Sequence, residues 1–172
     1  EKVDIRIFTP RSTKGIPLAF SSPLAAPPDA KRLYQKDRET FNSLVASLTN
    51  AFVDRLYPSA RTDKRRVQQT YLYEIVHYCW LRGIDLGGQQ GLHELLRLAQ
   101  DPPFDEIGGL HVDEYIPPKK ERAGLVQRIN TMLSGAEALW FQGLPLDIEE
   151  RFLNAGVGKT PINIINLMEL DS

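Results

Sequence analysis

Both ends of this chain carry strand-like segments, and nearly everything between them has the period of helices. Val3-Asp4-Ile5-Arg6-Ile7 alternates apolar and charged residues, the two-residue repeat of a half-buried strand. Ile162-Asn163-Ile164-Ile165-Asn166-Leu167 is nearly apolar on both faces, as suits a strand in a covered parallel sheet. Two strands alone make a poor sheet in water. The pair therefore predicts a sheet with further members, crossed by one very large helical connection. Glu1 rather than methionine in first place suggests a processed chain or an excised fragment, and the two strands, which need missing sheet members, favour the fragment.

Between the strands the chain first crosses a surface. Pro10, Gly15, Pro17, Pro23, Pro27 and Pro28 interrupt any helix or ladder, so residues 9 to 30 are expected to be extended, pinned by Leu18, Phe20 and Leu24. A long helix is predicted from about Asp37 to Leu56, because Phe41, Leu44, Val45, Leu48, Phe52 and Leu56 fall on one face. A second runs to Arg82, N-capped by Asp63 and stopped by Gly83, with Val67, Tyr71, Ile75 and Cys79 four apart. Leu92, Leu95, Leu96 and Ala99 stripe a third, closed by Asp101-Pro102. Residues 104 to 117 read as an ordered loop anchored by Phe104, Ile107, Leu110 and Tyr115. A fourth helix carries Leu125, Val126, Ile129, Met132 and Leu133, and short helices follow around residues 138–141 and 147–152.

These elements predict a mainly α protein: a bundle-like helical subdomain flanked by two short terminal strands. Its parts are residues 1–30 (core strand and crossing segment), 31–153 (helical subdomain) and 154–172 (turn and return strand).

No global basic field argues for nucleic-acid binding. The net charge is -1, so DNA contact would need a local patch or another part of the protein. The one cysteine, Cys79, forms no internal disulfide, which suits a reducing, cytoplasmic setting. No apolar run approaches the length of a membrane span, so no membrane partner is expected.

Gly156-Val157-Gly158-Lys159-Thr160 imitates a phosphate loop. The motif G-x-x-x-x-G-K-[ST] requires glycine where this chain has Leu153, and it must lead into a helix. Here Pro161 and a β-branched run follow Thr160. A turn into a strand is the expected structure.

Several segments taken in order resemble HerA/FtsK-like P-loop ATPases of bacteria. Val3-Asp4-Ile5-Arg6-Ile7-Phe8-Thr9-Pro10-Arg11-Ser12 followed by Gly15-Ile16-Pro17-Leu18 is similar to a strand ending in a Thr-Pro-Gly-Ser-like turn. One departure is Arg11, where glycine is usual. Gln100-Asp101-Pro102-Pro103-Phe104 resembles part of that family's helical insertion, and Gly143-Leu144-Pro145-Leu146-Asp147-Ile148 with residues 160–167 resembles the return to the core. The resemblance implies that the strands belong to a RecA-like α/β core. It places the chain between Walker A and Walker B, with no catalytic residue and no cofactor site of its own. The parent would be a homo-hexameric DNA translocase or helicase using ATP and magnesium. Its partners would be the rest of the parent ATPase, double-stranded DNA and a nuclease. A free-standing helical interaction module is the alternative.

Among individual residues, Arg61, Lys64, Arg65 and Arg66 form the main basic cluster, read either as a nucleic-acid or inter-subunit contact or as a solvated first helical turn whose charge Asp63 partly offsets. Lys31 and Arg32 form a smaller one. His77, Cys79, His93 and His111 match no zinc spacing, so no metal is expected. Asp105/Glu106 and Asp113/Glu114 read as solvated loop charge. Ser12, Ser21, Ser22 and Ser134 sit in no nucleophile elbow. Trp80, Trp140 and Phe141 read as core.

Overall fold

The structure is a computed structural model, and it describes residues 2–10, 14–19, 24–134, 138, 144–145 and 159–166. The protein is mainly helical with a few short strands, and it divides into two compact units. One unit comprises Glu1–Ser21 with Ser134–Ser172; the other is Ser22–Leu133.

The first unit is built on a parallel sheet. Strands β1 (Lys2–Pro10), β2 (Ile16–Ala19), β5 (Leu144–Pro145) and β6 (Lys159–Ile165) lie in the order β5-β2-β1-β6. The two terminal strands share the sheet, as expected, and they are direct neighbours in it: β1 and β6 run parallel from Lys2↔Lys159 to Phe8↔Ile165. Alternation puts Val3, Ile5, Ile7, Ile162 and Ile164 on one face of this pair. All five are exposed, Ile5 by 59% and Ile164 by 46%. Asp4 and Arg6 project to the other face and pair with each other at 2.5 Å.

β2 corrects the expectation that residues 9 to 30 hold no regular structure. It pairs with β1 through Phe8↔Ile16, Thr9↔Pro17 and Pro10↔Leu18, although it contains Pro17. A proline removes one ladder donor, and a strand only four residues long tolerates that loss. Parallel neighbours ordinarily need a long crossover, yet only residues 11–15 separate β1 from β2. Gly15 lies close against β1, and its N–H donates to Thr9 Oγ1 at 3.1 Å. A Cβ at Gly15 would lie 2.8 Å from the Ile7 carbonyl oxygen, so glycine is needed there.

The helical unit opens with α1 (Ala30–Lys36), a short helix that the proline count concealed. α2 (Arg38–Leu56) follows, N-capped by Asp37, whose carboxylate accepts from the Thr40 backbone N–H at 3.0 Å and its hydroxyl at 2.6 Å. Those bonds hold the Asp37 carboxyl below the ordinary aspartate range. Phe41, Val45, Thr49, Phe52, Val53 and Leu56 form its buried stripe. α3 (Thr62–Arg82) buries Tyr71, Leu72, Ile75, Val76, Cys79 and Trp80, and ends at Gly83 in the left-handed region at φ 71°. Its N-cap is Arg61, not Asp63, which stands in the first turn.

α4 (Gly88–Gln100) packs on α3, where the Tyr71 hydroxyl donates to the Ala99 carbonyl at 3.0 Å. Residues expected to form a loop instead make a hairpin of β3 (Glu106–Ile107) and β4 (Leu110–His111). Gly108 and Gly109, with φ of 59° and 87°, supply the tight turn. Ile107 is buried as an anchor, but Leu110 is exposed, because the hairpin points it outward. A short helix α5 (Val112–Tyr115) and a π-helical turn (Pro118–Arg122) lead into α6 (Ala123–Ser134), which buries Leu125, Ile129 and Met132. Ala138 is buried, while the rest of the short helices expected at 138–141 and 147–152 lie outside the described residues.

Candidate functional site

The four residues of the main basic cluster do not form one patch. α3 carries them in its first turn and a half, and a helix advances about 100° per residue. Lys64 and Arg66 therefore point about 200° apart. Arg65 is engaged by Asp54 of α2 at 3.2 Å. Arg61 stands at the N-cap position without a side-chain capping bond and is exposed, as is Arg66. Lys64 alone turns toward the Tyr57 ring, its ammonium 6.0 Å from the ring centroid.

The smaller cluster, Lys31 and Arg32, lines a cavity of about 510 Å³ beside Trp80 and Gly83. Asp29 and Asp85 line the same cavity, and Asp29 lies 3.9 Å from Arg32. Its charges are balanced. A second cavity of about 510 Å³ lies among Leu96, Gln100, Val126 and Asn130. Arg122 borders it but is only 5% exposed and gives a 2.6 Å hydrogen bond to Asp113, which makes it a buried strut. Asp113 thus has a structural partner.

The histidines and the cysteine stand apart in their surroundings. His77 packs among the rings of Tyr34, Phe41 and Tyr73, and its burial lowers its pKa from the ordinary value. His93 Nδ1 lies 2.8 Å from the Gln89 carbonyl, and His111 Nδ1 accepts from the Asp113 N–H. Cys79 is fully buried, and desolvation pushes its thiol pKa up to about 12. Among the described residues, no three His, Cys, Asp or Glu side chains converge as a metal site. Trp80 is core, while Trp140 and Phe141, with Ser12, Ser21 and Ser22, lie outside the described residues.

Lys159 and Thr160 open β6, opposite Lys2 and Val3. A phosphate-loop lysine instead stands at the start of a helix, where amides face the ligand. Among the described residues, no helix is long and apolar enough to cross a membrane. Comparison with protein-family models, with curated proteins and with solved structures finds no match to this chain.

Proposed function

We propose that this chain is the helical insertion, with flanking core strands, of a HerA/FtsK-like hexameric ATPase that moves double-stranded DNA. On this reading the chain has no complete catalytic site, and ATP and magnesium bind elsewhere in the parent. The remaining core, the other subunits of the ring and a nuclease are its partners, in the cytoplasm.

One observation carries the reading. The sheet unit is discontinuous: the chain leaves after β2, folds Ser22–Leu133 as a unit with its own core, and returns through β5 and β6. All four strands are parallel, and parallel sheets are covered on both faces in folded domains. The exposed face of Val3, Ile5, Ile7, Ile162 and Ile164 is what such a sheet presents when covering elements belong to the rest of a larger core.

The self-contained core of Ser22–Leu133 favours the alternative, a helical interaction module. The surrounding gene separates the two. The ATPase reading requires G-x-x-x-x-G-K-[ST] upstream and an apolar strand ending in Asp-Glu downstream. The intact protein should then form hexameric rings and hydrolyse ATP faster with duplex DNA. An upstream sequence without a phosphate loop would overturn the ATPase reading and leave the module.

A further inference from the structure

The helical unit holds a third cavity, of about 370 Å³, with an unbalanced charge. Three elements bring cations to it: Lys64 from α3, Lys120 from the π-helical turn and Arg128 from α6. The buried Tyr57, at the end of α2, has two of them close to its ring. The Arg128 guanidinium is 4.5 Å from the centroid of its ring, and the Lys64 ammonium is 6.0 Å away. Among the described residues, Glu121 is the one carboxylate on the cavity wall, 3.6 Å from Lys120. Neither Lys64 nor Arg128 has an ion-pair partner among the described residues.

Three unlike segments placing like charges around one concavity raise the local positive potential and so favour an anion there. Arg128 gives one Nη1 hydrogen bond to the Leu56 carbonyl at 2.8 Å, which fixes the guanidinium while leaving further N–H donors. The π-helical turn closes with Arg122 N–H donating to Pro117 O at 3.2 Å, and such widened turns recur at functional sites. Gly124, on the cavity wall, leaves it open, since a Cβ there would meet no atom within 4 Å. The volume lies at the low end of small-ligand pockets.

We propose that this cavity binds a phosphoryl group, held by Lys64, Lys120 and Arg128 over Tyr57. Lysines meet the charge as mobile point donors and the arginine as a fixed fork. The site stands whether or not the chain belongs to a translocase. The phosphoryl group has two sources, a small phosphomonoester or the backbone of duplex DNA.

The test is a titration of the 172-residue chain followed by amide chemical shifts. The probes are inorganic phosphate, glycerol 3-phosphate and a short DNA duplex, with chloride at matched ionic strength as the control. Saturable shifts at Tyr57, Lys64 and Gly124 are expected with a phosphate probe and not with chloride. Saturation with the free phosphates assigns a small ligand, and saturation with DNA alone assigns the backbone diester. Lys64→Gln, a change at an exposed side chain, should weaken binding about tenfold, the worth of one charge-assisted hydrogen bond. Gly124→Leu keeps every cation and fills the cavity, so it should abolish saturation. Shifts that fail to saturate, that chloride reproduces, or that both variants leave unchanged would overturn the proposal.

Discussion

The indole Nε1 of Trp80 donates to the Leu24 carbonyl at 3.0 Å, across 56 residues of chain, and both residues are fully buried. Leu24 thus closes the core over α3, and Phe41 meets the same indole edge-on at 5.7 Å. The helical core begins well before α2. A protein spanning residues 24–134 should melt in one cooperative transition, and one spanning 37–134 should melt at lower temperature or not cooperatively. Burying Leu24 alone is worth roughly 1.5–3 kcal/mol, and the orphaned indole donor adds to the loss. Equal melting temperatures for the two would refute this account of the boundary.

Two glycines in helices should respond oppositely to a methyl group. In α4 a Cβ on Gly91 would stand 2.1 Å from the Leu86 carbonyl carbon, against backbone that cannot rotate away. Gly91→Ala should destabilise by at least about 2–3 kcal/mol, as overpacking does. Gly124→Ala in α6 meets open space and should be neutral or stabilising by up to about 1 kcal/mol, through helix propensity. Urea unfolding of both variants checks the pair.

Stability should fall in alkali. Burial raises Cys79 from 9.0 to about 12 and Tyr71 from 10.0 to about 12. Both folded pKa values lie above the unfolded ones, so the neutral groups contribute fully below pH 9 and progressively less as pH approaches 12. Unfolding free energy measured across that window should decline, and Tyr71→Phe should flatten part of the slope. The buried thiol should also react with a disulfide reagent only after unfolding.

Helices were legible where burial follows a single stripe, as with Phe41, Val45 and Phe52 on α2 or Leu125 and Ile129 on α6. Their stops were legible too, since Gly83 takes the left-handed conformation that a C-terminal glycine invites. Local chemistry misled where tertiary pairing overrode it. β2 forms through Pro17 because β1 offers a partner, and α1 forms just after a proline-rich run. The Gly108-Gly109 pair was a hairpin signal that the surrounding loop residues obscured. Adjacent basic residues looked like one patch in sequence, but helical rotation scattered Lys64, Arg65 and Arg66. Lys120 and Arg128 reach Lys64 only through packing, so no spacing in the sequence announces the cavity.

Lys159 should be dispensable for nucleotide chemistry. It pairs in register with Lys2 at the start of a strand, and among the described residues no helix begins at Lys159 to supply amides to a phosphate. Calorimetry with magnesium-ATP should give the same trace for the chain and for Lys159→Ala. Tight binding lost in that variant would contradict the reading of this segment as a strand start.

The open face of the sheet should be adhesive. Ile5 stands opposite Ile162, and Ile7 opposite Ile164, so four isoleucines form two adjacent cross-strand pairs on one exposed surface. β6 ends the sheet order, which also leaves its outer backbone edge unpaired by any described strand. Pro161 removes one donor from that edge, a brake on edge-to-edge pairing but not on burial of the face. Contiguous exposed apolar surface drives association, because covering it releases water at roughly 25 cal/mol per Å². The isolated chain should therefore self-associate weakly, with a sedimentation coefficient that rises with concentration. Replacing Ile5 and Ile164 together by lysine should restore monomer behaviour while leaving the helical unit's thermal transition in place, since neither residue belongs to that unit. Monomeric sedimentation of the unmodified chain at every concentration would show that the face is not adhesive.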